Sequence, residues 1–159
     1  RLLKDNFYEA ILEQDGYQLE QVIPPRDLKT WQQLPVSAIA NFSPVVIEPL
    51  TPESVESSLR AYPYHRFPVT SEGVLQGVLT RQEAQESLSE NRDFILAKTV
   101  ICHPSQSIRE LQYSLIESET GLVGLVEPGQ KRLIGIVTLH DLLRREVAIA
   151  RDEADEFGA

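Results

Sequence analysis

Two stretches of the chain, Pro44 to Gln85 and Thr99 to Leu143, run through the same succession of patterns, which restricts the fold to two like units. Each opens on a short β-branched run, Val45-Val46-Ile47 in the first and Thr99-Val100-Ile101 in the second, followed by a turn containing proline. Each then predicts a helix. In the first, Thr51 suits the N-cap, Pro52 the first helical position, and Val55, Leu59 and Tyr62 one apolar stripe. In the second, Ser105 is the expected cap, and Ile108, Leu111, Leu115 and Ile116 form the stripe. Two strands follow in both copies. Phe67 to Thr70 and Val74 to Leu79 join around Glu72-Gly73, and Leu122 to Val126 and Leu133 to Val137 join through Glu127 to Lys131. Within the second connection, Pro128-Gly129 suits the centre of a type II turn.

Each copy closes on nearly the same run, Gly77-Val78-Leu79-Thr80-Arg81-Gln82-Glu83 and Gly135-Ile136-Val137-Thr138-Leu139-His140-Asp141. A helix is expected after each. The unit is thus strand, helix, strand, strand, helix, and a lone unit of roughly 50 residues buries little core. The expected fold is therefore α/β, two tandem β-α-β-β-α repeats packed sheet to sheet as one module. Repeat 1 is placed at residues 35–90 and repeat 2 at 91–147, after a linker helix and connector over 1–34 and before a frayed acidic tail over 148–159. The linker helix is Asn6 to Gly16, with Phe7/Ile11 and Tyr8/Leu12 at helical spacing, and Trp31 in the connector is expected to cover the module's flank.

With 24 acidic against 15 basic residues and a net charge of -9, the chain lacks the clustered cations of a general nucleic-acid surface. No apolar stretch approaches the roughly 18 residues of a membrane span. Cys102 alone allows no intrachain disulfide. The chain contains no Met and opens on Arg1-Leu2-Leu3, which reads as a segment of a longer protein without a signal peptide.

Thr80 with Glu83, and Thr138 with Asp141, have the spacing of a capping box, which needs no ligand. The same geometry also admits one. A helix N-terminus presents unpaired N–H groups and partial positive charge to a phosphate. A nearby carboxylate can accept both hydroxyls of a ribose, as in dinucleotide-binding folds, an analogy across unrelated architectures. Arg81, Lys131 and Arg132 could meet phosphates, although isolated loop cations are more often simply solvated. His65, His103 and His140 with Cys102 match no zinc spacing, and Cys102 and His103 should face opposite sides of a strand. No nucleophile with a positioned base, P-loop or metal motif is present in the sequence, so no catalysis is expected.

The duplicated G-h-h-T-x-x-D/E ending, where h is apolar, resembles that of a tandem CBS-domain pair, a regulatory module of channels, transporters, kinases and biosynthetic enzymes. The resemblance spans about Pro35 to Arg145, with Glu83 where the first copy usually has Asp. Asn6 to Gly16 is similar to the segment after the last membrane helix of ClC-type chloride channels and transporters. Tyr64-His65-Arg66-Phe67-Pro68-Val69 is similar to their Y-S-G-F-P-V stretch, with His65 for Ser and Arg66 for Gly. This likeness implies a cytoplasmic regulatory domain of a channel or chloride/proton antiporter that binds ATP, ADP or AMP, joins a membrane domain and forms a homodimer. It implies further that Asp141 contacts the ribose, Thr138 the phosphate and Tyr64 the adenine. His65, Pro68, Thr80 and Glu83 complete the expected nucleotide site. Three alternatives stay open: Tyr64 packing in the core, a module without ligand that serves dimerisation or trafficking, and a CBS regulatory domain of another transporter or of an enzyme. The apolar Leu142, Leu143 and Val147 are compatible with a partner surface.

Overall fold

The computed structural model describes residues 32–158. Asn6 to Gly16 and Trp31 lie outside the described residues. In chain order the elements are a 3₁₀ turn (Val36–Ala38), α1 (Pro52–Ala61), β1 (Arg66–Ser71), β2 (Val74–Thr80), α2 (Arg81–Glu90), β3 (Val100–Cys102), α3 (Ile108–Glu117), β4 (Leu122–Val126), β5 (Leu133–Thr138) and α4 (Leu139–Gly158). β1 and β2 form one antiparallel pair, and β3, β4 and β5 form a second sheet in that order, with β3 parallel to β4.

The two hairpins match in register. Arg66 pairs with Thr80 and Leu122 with Thr138, and the ladder is interrupted at equivalent places, Val69/Thr70 and Leu125/Val126. Their turns differ. Glu72 and Gly73 both take positive φ, 51° and 78°, as a two-residue type I′ connection requires. Gly129 sits at φ 77° in the turn closed by the Gln130 N–H on the Glu127 carbonyl, the geometry expected of Pro-Gly in type II.

The first β-branched run forms no full strand. Only Ile47 pairs, parallel to Val69: its N–H donates to the Pro68 carbonyl, and its own carbonyl accepts from Thr70. Extending this ladder toward Val45 would require an N–H on Pro68, which proline lacks. In the second unit Gly124 stands at the equivalent position, and β3 pairs with β4 over three residues.

Thr51 caps α1, accepting the Ser54 N–H, with Pro52 at the first turn as expected. Val55 is buried, whereas Tyr62 ends the helix exposed and leaves the predicted stripe. The cap of α3 is Ser107, not Ser105. Glu110 lies three residues after Ser107 and completes a reciprocal capping box, which Ser105 has no equivalent residue to form. Ile108, Leu111 and Leu115 are buried but Ile116 is 58% exposed, so the fourth position of that stripe faces outward. Beyond residue 148, where a frayed tail is expected, α4 continues to Gly158.

Three apolar clusters hold the chain. Cys102, Ile108, Leu111, Val123, Val137, Leu142 and Leu143 belong to the core of the second unit. Ile47, Val55, Phe67, Val69, Leu79 and Ala84 fill the first. Between them Val78 of β2 meets Leu122 and Ile136, which joins the two sheets. The hairpins also meet at their turns, where Leu133 donates its N–H to the Gly73 carbonyl at 2.8 Å. Leu142 and Leu143, read as a possible partner surface, are 0% and 1% exposed and belong to the core. Their α4 positions fall on the face turned toward the sheet.

The lead segments are exchanged. Asn41 pairs with Ile136 through two backbone hydrogen bonds of 2.9 Å, and Val36 is buried in the second core. Ala97 pairs in the same way with Val78, and Phe94 and Leu96 pack on the first core. Each unit thus receives its outer edge from the segment that precedes the other one. This arrangement accounts for the glycine that opens each closing run. A Cβ on Gly77 would lie 2.9 Å from Leu96 Cβ and 3.0 Å from the Ala97 carbonyl oxygen, and one on Gly135 would lie 2.8 Å from that of Asn41.

Candidate functional site

The Thr138 run ends β5 and opens α4. The Thr138 hydroxyl accepts the Asp141 N–H at 3.2 Å, and Asp141 Oδ2 accepts the Thr138 N–H at 2.9 Å, a complete capping box. The hydroxyl proton of Thr138 goes to the same Oδ2, also at 2.9 Å. All three bonds therefore leave Asp141 Oδ1 without a hydrogen bond among the described residues. Asp141 is half-buried at the first turn of α4, where unpaired N–H groups and the helix dipole favour an anion.

The Thr80 run caps its helix in the same first step, with the hydroxyl accepting the Glu83 N–H at 3.2 Å. Its second step differs. Instead of turning back to Thr80, the Glu83 carboxylate runs along α2 to Arg92, with Oε1 2.5 Å from Nη1 and Oε2 3.3 Å from Nη2. Oε1 also accepts the Ser87 hydroxyl at 2.8 Å and the Ile95 N–H at 3.1 Å. The extra methylene of Glu gives it that reach. The Arg92 guanidinium and the Ser87 hydroxyl hold the Glu83 carboxyl down to about 2, well below its ordinary 4.5. The expected capping box at Thr80 and Glu83 is thus only half formed.

Tyr64 stands in the loop before β1 and is 49% exposed, which sets aside the reading of its ring as core. Tyr62 stacks on it at 5.5 Å and 8°, and the buried Phe67 lies tilted at 6.2 Å. Arg81 holds this loop: Nε donates to the Tyr64 carbonyl at 2.7 Å, Nη1 to Leu59 at 3.2 Å and Nη2 to Tyr62. Its backbone N–H donates to the His65 carbonyl at 2.8 Å, and the guanidinium lies over the Phe67 ring. The corresponding bond in the second unit runs from the Leu139 N–H to the Gly121 carbonyl. Arg81 therefore organises the loop of Tyr64 and does not reach outward to a phosphate. Nothing in its sequence position distinguishes that role.

The expected site residues fall into two groups. Tyr64, His65, Thr80 and Glu83 gather around the start of β1 and the end of β2, since Arg66 pairs with Thr80. Pro68 is buried on β1 between Ile47 and β2. Thr138 and Asp141 lie at the end of β5, and no hydrogen bond or ring contact joins them to Tyr64 among the described residues. Of the other basic residues, Arg132 lies against the Gly73 turn, with Nε 2.7 Å from where a Gly73 Cβ would be. His103 Nδ1 is 2.7 Å from the Val126 carbonyl oxygen, and the Cys102 thiol, buried and thereby raised in pKa, donates to Ser114 at 3.2 Å. Among the described residues no group of three His, Cys, Asp or Glu side chains is placed to hold a metal.

Residues 92–148 match the CBS domain family. No curated protein matches the chain in sequence. Its fold is shared with the CBS domain of a bacterial CNNM/CorC family Mg2+ transporter, at a TM-score of 0.66 and 21% identity over 91% of this chain and 93% of that one. It is shared also with the CBS domain pair of protein MJ0100, solved with 5′-methylthioadenosine and S-adenosyl-L-methionine, at 0.58 and 18% over 70% and 98%. A eukaryotic CLC transporter aligns at 0.54 and 17% identity, covering 76% of this chain and 23% of the transporter. With the helix-hairpin-helix unit built twice, the lead segments exchanged between the units and residues 92–148 matched to the CBS domain family, this chain has the fold of a CBS domain pair.

Proposed function

We propose that this CBS pair is the regulatory module of a ClC-type chloride channel or chloride/proton antiporter, and that it binds an adenine nucleotide to modulate ion transport. The observation that carries the reading is the Thr138 and Asp141 helix start, where an anion-favouring N-terminus adjoins a carboxylate oxygen with no hydrogen bond among the described residues. In this reading Thr138 meets phosphate and Asp141 accepts the ribose hydroxyls. Tyr64, exposed and braced by Arg81, supplies the face for adenine. The adenosine compounds bound to protein MJ0100 support the ligand class, and the CLC transporter neighbour supports the parent. The segment Asn6 to Gly16 adds sequence support for that parent.

The mechanism is binding without chemistry. A nucleotide shifts the gating equilibrium only by its difference in affinity for two states of the module. The module belongs at the cytoplasmic face as a homodimer attached to a membrane domain, with repeat boundaries at 35–90 and 91–147. No helix among the described residues is long and apolar enough to cross a membrane.

Calorimetric titration with ATP, ADP, AMP and adenosine tests this reading. Loss of one charge-assisted contact costs about 1.5–3 kcal/mol, so Asp141→Ala should weaken binding by about tenfold or more. That variant also loses a cap, so circular dichroism must show it folded, and Tyr64→Ala, which touches no cap, should weaken binding as well. Absence of saturation at millimolar nucleotide would instead favour a ligand-free dimerisation module. The parallel stacking of Tyr62 on Tyr64, which covers one ring face, is the observation on that side.

A further inference from the structure

We infer that Glu48, which belongs to neither hairpin, is the positioning residue that shapes the turn of the first hairpin for the second to dock on, so that one carboxylate governs how the two units are joined. No nucleotide enters the inference or its test, so the reading above can fail without it.

Glu48 follows Ile47, the residue that pairs with Val69 at the edge of β1. Its Oε2 accepts the Thr70 hydroxyl at 2.6 Å and the Gly73 N–H at 3.4 Å, and Oε1 accepts the Glu72 N–H at 2.5 Å. The Thr70 hydroxyl first, then those two N–H groups and the nearby charge of Arg132, hold the carboxyl below its ordinary range against the cost of desolvation. The turn needs this support. Glu72 carries a side chain yet takes a φ of 51°, a left-handed conformation that is unfavourable for an L-residue. A charged acceptor for its N–H offsets that cost. Held in this shape, the turn presents the Gly73 carbonyl to the Leu133 N–H at 2.8 Å, and Val74 bridges Arg132. Arg132 also covers Gly73, with Nε 2.7 Å from where a Cβ would be. Farther along the strands the hairpins meet through apolar side chains, Leu75 against Gly124 and Val78 against Leu122 and Ile136. Such contacts are non-directional, whereas the hydrogen bonds at the turns fix an orientation. The turn of the second hairpin is built without a carboxylate. By ladder register His103 stands where Glu48 does, since Cys102 pairs with Leu125 as Ile47 pairs with Val69. Its Nδ1 lies 2.7 Å from the Val126 carbonyl oxygen, and the Gly129 turn closes on itself through Gln130 and Glu127.

Hydrogen exchange of the full chain, read amide by amide, tests the inference. In Glu48→Ala the Leu133 amide, across the boundary between the units, should exchange about tenfold faster or more, as loss of a charge-assisted bond implies. The Asn41 and Ile136 amides, which share no partner with Glu48, should stay within about twofold. Glu48→Gln, which keeps one acceptor oxygen, should fall between. Arg132→Ala should also speed the Leu133 amide, and by less in the Glu48→Ala background than in the parent, as for residues that act through one contact. Faster exchange at Glu72 and Gly73 with Leu133 unchanged would confine Glu48 to its own turn and overturn the inference. Additive effects of the two substitutions would overturn it as well, and so would equal acceleration of Asn41, Ile136 and Leu133, which reports a general loss of stability. If Glu48→Ala does not fold, Glu48→Gln with Arg132→Ala carries the same comparison.

Discussion

Gly135→Ala probes the exchanged architecture directly. Gly135 is buried on β5, and an added Cβ would lie 2.8 Å from the Asn41 carbonyl oxygen and 3.2 Å from Phe42 Cδ1. The nearer atom belongs to backbone that accepts the Ile136 N–H at 2.9 Å, so it retreats only by stretching that bond. Overpacking of this kind costs about 1–3 kcal/mol, and a weakened backbone hydrogen bond adds about 0.5–1.5 kcal/mol. The stiffer unfolded chain offsets about 0.4–1 kcal/mol. The net expectation is a loss of about 1–3 kcal/mol, or a fall of roughly 3–10 °C in melting temperature for a chain of this size. Scanning calorimetry measures the fall, and hydrogen exchange locates it: the Asn41 and Ile136 amides should exchange faster in the variant. Gly129→Ala is the comparison, since φ is +77° there and nothing lies within 4 Å of an added Cβ, so its cost is local backbone strain without disturbance of Asn41. If Gly135→Ala melts with the parent and keeps the Asn41 amide protected, the close approach does not require glycine and the argument fails.

Two further predictions concern the joint between the units and the ion pair. Leu122 is 1% exposed and packs with Val78 and Ile136 between the sheets, so Leu122→Ala should cost about 2–5 kcal/mol in urea unfolding; a loss below 1 kcal/mol would mean that the joint carries little of the stability. The Glu83 carboxyl is depressed to about 2 from 4.5, so its contribution is fully present above pH 4.5 and is lost as pH falls from 4.5 toward 2. The urea midpoint of the parent should therefore converge on that of Arg92→Gln over this acid range, and a gap that persists at pH 2 would contradict the assignment.

What local chemistry determines was legible in the residues. The duplicated unit, the Glu72-Gly73 and Pro128-Gly129 turns and the Thr51 cap each follow from a few neighbouring side chains. The Ser107 cap was also available, because Glu110 stands three residues on, but a second serine at position 105 competes with it in the pattern. Long-range partners were not legible. Nothing near Asn41 signals that it pairs with Ile136, and nothing near Glu83 marks Arg92, across a helix, as the residue that occupies its carboxylate. Apolar stripes misled at their ends, where Tyr62 and Ile116 continue the spacing but lie on the solvent side of the helix. At the site, spacing identified both Thr-x-x-acid runs without separating them, since reach along a helix depends on rotamer and on what stands opposite.

The exchanged lead segments bear on how the chain is made. Synthesis delivers residues 32–41 well before their backbone partners, which lie beside Ser107 and on β5. That first stretch completes its pairing only once β5 has emerged, whereas residues 94–97 follow their β2 partner directly. Closure of the second unit's edge therefore follows that of the first and is governed by a long loop. A protein cut between α2 and β3 would yield two halves that each display an unpaired strand edge, ready to pair with each other or with any other chain that offers one.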